Sequence, residues 1–246
     1  MIAGSAKIIR TKAIEEITAG RLREYEAKAG VVVAFPVPIE KVVEQVLGLS
    51  FDWDEIEEEP GEQILGGLIA GDRRIVLNEK HLDLFKAKPG LERSTIGHEA
   101  GHWDVDIDRT ALLHPSFPGF ETQQHVVKRH SKKDGLIVEV LTRAITDPRY
   151  RRLYTKLTEG EDAPEVRSAV DRYQSALLMP EWLIQEAQTR YDFKRWRDLY
   201  QLAEEAQVSI SNLTVRLQRL DLLFIPKDSK DLYRSRAEFS GQQSLF

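Results

Sequence analysis

The chain has 246 residues, 41% hydrophobic and 30% charged, which is enough apolar material for a sizeable core. It contains no Cys, which excludes a disulfide framework, a cysteine nucleophile and a thiolate metal site, and fits a cytoplasmic location. A net charge of −5 argues against wholesale coating of nucleic acid, and no apolar run reaches the length of a membrane span.

The first residues, Met1 to Glu16, lack the apolar core of a secretory leader. Thr11 to Lys28 has helical apolar spacing, with Ile14, Ile17, Leu22 and Tyr25 near one stripe and Gly30 as its stop. Val31 to Phe35 is a short apolar run broken by Pro36 and Pro38. A second helix is expected from Ile39 to Leu47, closed by Gly48. Leu49 to Trp53 alternates like a strand. Asp52 to Glu62 carries seven acids in eleven residues and reads as a solvated loop. Ile64 to Ile69 and Arg74 to Asn78 are two strands joined at Ala70-Gly-Asp-Arg73, a hairpin signal. A small sheet therefore precedes the next helix, about Leu91 to Val105, with Ser94 or a neighbour as its cap.

That helix carries Ser94-Thr-Ile-Gly-His-Glu-Ala-Gly-His-Trp103. His98 and His102 are four residues apart, so one helical face presents both imidazoles to a single metal ion. Glu99 follows the first histidine and can face a water on that metal. This is the H-E-x-x-H arrangement, in which the metal acidifies a water and the glutamate takes its proton. Gly97 and Gly101 are poor helix residues, tolerated where another backbone approaches closely.

Beyond this point the pattern weakens. His114 to Phe120 is a Pro/Gly-rich loop, and Lys128 to Lys156 carries nine Lys/Arg against three acids, a basic face more often solvated than bound to nucleic acid. Leu136 to Thr146 reads as a helix stopped at Pro148. Pro164 opens a helix running from Glu165 to Leu178, and Pro180 opens another to about Arg190. Trp196 to Ala206 and Ser209 to Leu220 form a helix pair, and a polar tail follows from Lys227 that is expected to be loose until its last residues.

In this order the motifs resemble the ImmA/IrrE family of zinc-dependent metallopeptidases, over roughly Val37 to Leu223. The resemblance rests on Pro36-Val-Pro-Ile-Glu-Lys-Val-Val-Glu44, the Gly-bearing hairpin, His98-Glu-Ala-Gly-His-Trp103, Tyr173-Gln-Ser-Ala-Leu-Leu-Met-Pro180 and Val208-Ser-Ile-Ser-Asn-Leu-Thr-Val-Arg-Leu-Gln-Arg-Leu220. It implies an α+β, zincin-like fold: a small antiparallel or mixed sheet packed on the metal-binding helix, and a mostly helical C-terminal half. The expected organisation is a peptidase domain over residues 1–190, a helix-turn-helix-like subdomain over 191–226, and a tail over 227–246. The implied activity is zinc-dependent cleavage of repressor-type transcription factors, in stress responses or the control of mobile elements and phage.

The resemblance also implies a third zinc ligand: a glutamate on a later helix, with Asp or Asn four residues further on. Asp171 matches the second of that pair and is expected to hydrogen-bond a ligand histidine and fix its tautomer. At the glutamate position stands Arg167, which cannot ligate zinc. Three completions stay open. Glu165 supplies the ligand, although two positions is about 200° round a regular helix. Asp171 itself enters the coordination shell. Or the site lacks a third ligand. Glu139, His114, His125 and His130 are further candidates that read equally well as exposed side chains. A site without its third ligand would make the chain a non-catalytic regulator of the same fold.

The helix pair resembles a helix-turn-helix. Leu202, Ala203, Val208, Leu213, Leu217 and Leu220 would face inward, leaving Ser209, Ser211, Asn212, Arg216 and Arg219 for DNA contact through residues 209–219. Gln207 replaces the usual turn glycine. Residues 242–246, Gln-Gln-Ser-Leu-Phe, resemble the short bacterial sliding-clamp-binding peptide.

Overall fold

The protein is seen in a computed structural model that describes residues 10–58, 63–107, 169–227 and 229–243. It is an α+β structure with one mixed three-stranded sheet of order β1-β3-β2. Strand β1 (Ser50–Asp54) runs parallel to β3 (Arg74–Asn78), and β2 (Gly66–Ile69) runs antiparallel to it. The β2–β3 hairpin turns at Ala70 to Arg73, where Arg73 takes a φ of 52°.

Both outer strands start later than the alternation predicts. Leu49 is buried in the core, and the ladder opens with the Ser50 amide donating to Arg73 O at 2.9 Å. At the other edge the Ile64 carbonyl is taken by the Asn78 side-chain amide, at 2.8 Å, so Ile64 and Leu65 precede the strand proper. Asn78 is fully buried, and its side-chain oxygen also accepts from Ile56 N and Lys80 N, so one amide pins both ends of the acidic loop to β3.

Helix α1 (Thr11–Ala29) buries Ile14, Thr18, Leu22 and Tyr25 along one stripe. Gly30, at φ 67°, stops it and donates to Glu26 O. Helix α2 (Ile39–Val42) widens into a π turn (Val43–Leu47) ended by Gly48. After the short α3 (Leu82–Ala87) comes the histidine helix α4 (Pro89–Gly101). Pro89 opens it, because a proline fits the first turn, where the missing N–H has no helical partner anyway. Ser94, expected as a cap, lies inside the helix, and no side chain caps its start. The segment predicted as one helix to Val105 changes register at the second histidine: His102–Asp106 is a π turn in which His102 O accepts from Ile107 N at 3.1 Å.

Helix α5 (Ala169–Leu178) is the described part of the helix predicted from Glu165, and α6 (Glu181–Ala187) follows Pro180. Helices α7 (Trp196–Glu205) and α8 (Ile210–Arg219) form the expected pair. Gln207 at the turn takes a φ of 51°, the left-handed conformation that a glycine would adopt most easily. Ser209 caps α8 by accepting from Asn212 N at 3.1 Å.

The tail is not loose as predicted. Helix α9 (Arg236–Gln243) docks through Phe239, whose ring centroid is 5.3 Å from Phe224 and 5.1 Å from Tyr233. Phe224 and Tyr233 exchange backbone hydrogen bonds, and Lys194 pairs with Glu238 at 2.8 Å. Composition hid this, because three aromatic rings in a polar stretch are enough to hold one short helix. Gln242 and Gln243 end α9, and the rest of the expected clamp-binding peptide lies outside the described residues.

One apolar cluster runs through most of these parts, from Ile14 of α1 through Ile75 of β3, Ile96 of α4 and Leu177 of α5 to Leu217 of α8. Helix α4 makes its most extensive packing on α5. Gly97 and Gly101 permit it: a Cβ at Gly97 would stand 3.0 Å from Gln174 Cγ, and one at Gly101 would stand 3.0 Å from Val170 Cγ1. Among the described residues no helix is long and apolar enough to cross a membrane.

Candidate metal centre

His98 sits in the last turn of α4 and His102 opens the π turn. Their Nε2 atoms face each other at 3.2 Å, with ring centroids 4.8 Å apart and planes at 78°. Two nitrogens each about 2.0–2.1 Å from a tetrahedral zinc lie roughly 3.3–3.4 Å apart. That separation is close to the spacing of two ligands on one ion, and it is also the range in which one Nε2–H donates to the other Nε2. Glu99, next on the helix, is 3% exposed.

Asp171 on α5 reaches the other side of the first imidazole, its Oδ1 3.3 Å from His98 Nδ1. That is ion-pair range, but the alignment falls short of a hydrogen bond. A carboxylate on the Nδ1 side favours the tautomer with its proton there, which leaves Nε2 free to ligate. Asp171 thus lies on the Nδ1 side of the His98 ring, away from the facing Nε2 atoms.

The turn that follows the second histidine is tied to two other helices. Asp104, two residues after His102, has a fully buried side chain. It accepts from Arg21 Nε at 2.9 Å, from Arg21 Nη2 at 2.7 Å and from the Tyr173 hydroxyl at 3.0 Å. The bidentate bond to Asp104 raises the Arg21 pKa further, outweighing the lowering by burial. Tyr173, expected only to pack, is fully buried and also donates this hydrogen bond. Asp104 and Arg21 carry no motif, and only the fold brings together residues 83 positions apart.

Among the described residues no group of three or more His, Asp or Glu side chains converges to hold a metal. The described donor set is thus two imidazoles with one carboxylate behind them. Glu165, Arg167, Glu139, His114, His125 and His130 lie outside the described residues, as does the basic stretch from Lys128.

The expected DNA-reading face fares differently. Arg216 is not free: it is 1% exposed, donates from Nε to Met179 O at 2.9 Å, and forms a bidentate ion pair with Glu15 of α1. Sequence pattern alone hides this, because Arg216 sits among polar residues of an amphipathic helix and its partner Glu15 lies on α1. Ser209 is the α8 cap. Ser211 stays exposed.

Comparison with protein-family models gives no match to this chain, and comparison with curated proteins gives none either.

Proposed function

We propose that this chain is a metal-dependent endopeptidase of the ImmA/IrrE type, with zinc as its ion and a repressor-type transcription regulator as its substrate class. The observation that carries the reading is the facing Nε2 pair of His98 and His102, with Asp171 behind the first ring. His98 and His102 would hold the ion, and Glu165 is the candidate third ligand. Bound there, zinc would supply Lewis acidity to the scissile carbonyl and to the attacking water.

The protein's own groups do the remaining work. Glu99 takes a proton from the water on a carboxylate oxygen and delivers it to the leaving amine, a general base turned general acid. Asp171 keeps the His98 proton on Nδ1. Burial of Glu99 holds its carboxylate at the histidine helix and limits access of bulk water. The cysteine-free composition supports a cytoplasmic setting.

The experiment is metal content followed by cleavage. Protein purified without chelators should hold about one zinc per chain, lost in His98→Ala and His102→Ala. A repressor substrate should be cut by the wild type and not by Glu99→Gln. Zinc at background in the wild type would overturn the proposal.

A second reading is favoured by one residue. Arg167 stands where the resemblance places the ligand glutamate, and a fixed cation there opposes a divalent metal. On that reading the chain is a non-catalytic regulator of the same fold. Zinc at background in the wild type, with no cleavage of any repressor, would select it.

A further inference from the structure

We propose that the cleft between the α6–α7 loop and the start of α9 binds a short peptide with free termini, its ammonium held by Asp221 and its carboxylate by Arg234. This site is separate from the two histidines and does not depend on the metal reading.

The cleft has a volume of about 710 Å³, within the range of sites that enclose small organic ligands. It is lined by the loop 188–194 between α6 and α7, by Asp198 of α7, by Asp221 and Leu222 after α8, and by Arg234 and Ser235 before α9. The buried Phe193 and the half-buried Leu222 give it an apolar wall.

Most of its charged groups are already engaged. Arg190 donates twice to Glu205, at 3.0 and 2.9 Å, and Lys194 pairs with Glu238 at 2.8 Å. Asp198 accepts from Asp192 N at 2.9 Å, and Asp192 accepts from Lys194 N at 3.0 Å. Two opposite charges are left over. Among the described residues no group donates to the Asp221 carboxylate, and none accepts from the Arg234 guanidinium. Glu238 feels the Arg234 charge, but it is taken by Lys194.

Local forces disfavour a carboxylate at position 221. The residue ends α8: its N–H donates to Gln218 O at 3.2 Å and the next one, of Leu222, to Leu217 O at 3.0 Å. Its φ is 54°, the left-handed conformation that glycine and asparagine adopt more readily. The C-terminal end of a helix is also the negative end of its dipole, which repels an acid. A carboxylate kept against both preferences, with no internal bond to offset them, is the kind of local inconsistency that marks functional positions. Arg234 brings the opposite charge to the same cleft, in a form that grips a carboxylate with two bonds. A ligand that satisfies both carries an ammonium and a carboxylate. Gln188, on the same lining, has a side-chain amide that both donates to and accepts from a peptide bond.

The test is isothermal titration calorimetry of the full-length protein with trialanine and with its N-acetylated and C-amidated forms. Trialanine should bind, and each blocked form should bind about tenfold or more weakly, since each loses one charge-assisted bond. Asp221→Asn should weaken trialanine about as much as acetylation does, and should leave the affinity for the acetylated form unchanged. Arg234→Gln should behave in the same way toward the amidated form. Asparagine suits the left-handed conformation, so Asp221→Asn should melt no lower than the wild type. Lost affinity at full stability separates a ligand contact from a structural role. If Asp221→Asn does melt lower, Arg234→Gln decides alone, because its side chain is exposed. The proposal is overturned by a wild type that does not bind trialanine, by variants that keep wild-type affinity, or by an equal loss for free and blocked peptides in either variant. Peptide bound at the histidines would ignore both variants, so the outcome is independent of the metal reading.

Discussion

Arg216 of α8 and Glu15 of α1 form a bidentate ion pair across 201 residues of sequence, with the guanidinium almost wholly buried. The Arg216 Nε also holds Met179 O, the carbonyl just before Pro180. A helix placed by its sequence as a DNA reader is therefore locked against the first helix of the chain.

Breaking one partner of such a pair strands the other in a poor solvent. Arg216→Met should destabilise the protein by the lower end of about 3–5 kcal/mol, since Glu15 keeps some contact with water. The double variant Arg216→Met, Glu15→Gln should be more stable than Arg216→Met alone. Urea unfolding midpoints would show it, and additive losses would count against a coupled pair.

The glycines of the two long described helices should respond in opposite ways to a methyl group. Gly20 of α1 has nothing within 4 Å of the position a Cβ would take. Gly20→Ala should stabilise by about 0.5–1 kcal/mol through helix propensity alone. At Gly101 the new carbon would meet Val170 and Tyr173 at 3.0 and 3.3 Å. Overpacking of about 1–3 kcal/mol then exceeds the propensity gain, and Gly101→Ala should unfold at lower denaturant.

The α7–α8 turn offers a paired prediction. Gln207→Gly should stabilise by up to about 1 kcal/mol, because φ 51° is strained for any residue with a Cβ. Ser209→Ala should cost about 1 kcal/mol, because α8 loses the oxygen that satisfies Asn212 N. Thermal melts of the two variants should move in opposite directions.

The loop before β2 should loosen in acid. Glu58 accepts from His81 at 2.6 Å and from Ile64 N at 2.5 Å, and these bonds, His81 first, hold its pKa below the ordinary carboxylate value of 4.5. A carboxylate depressed in the folded state binds fewer protons folded than unfolded. Its stabilisation is therefore complete above pH 4.5 and is lost as the pH falls through the folded value. The melting-temperature gap between wild type and Glu58→Gln should close as the pH falls below 4.5.

Much of this architecture was legible along the chain. Gly30 and Gly48 marked helix ends, Ala70 to Arg73 marked the hairpin, and the four-residue spacing of His98 and His102 put two imidazoles on one face. Each signal is local, set by backbone preference or helical period. Asp171 beside His98 was legible only through the resemblance. The π turn at His102 was not legible, because neither composition nor periodicity separates a wide turn from a regular one. Asp104, Arg21 and the Arg216–Glu15 pair were invisible for a different reason: each depends on which helices touch, and a charged residue on a helix reads as solvated until its neighbour is known. The aromatic anchoring of α9 was missed because Phe224, Tyr233 and Phe239 are spread over sixteen positions of polar sequence.

Helix α1 has one more consequence, which concerns time. It is synthesised well before its polar anchors, Asp104, Arg172 and Arg216: Arg21 waits 83 residues for Asp104, Thr11 waits 161 for Arg172 and Glu15 waits 201 for Arg216. During translation α2 and the π turn after it cover part of its apolar stripe early, and the part that packs on α5 stays uncovered until that helix emerges. Contacts of such long sequence separation form slowly, and an exposed stripe is prone to association meanwhile. The nascent chain is thus expected to need shelter for the uncovered part of α1 until α5 has left the ribosome.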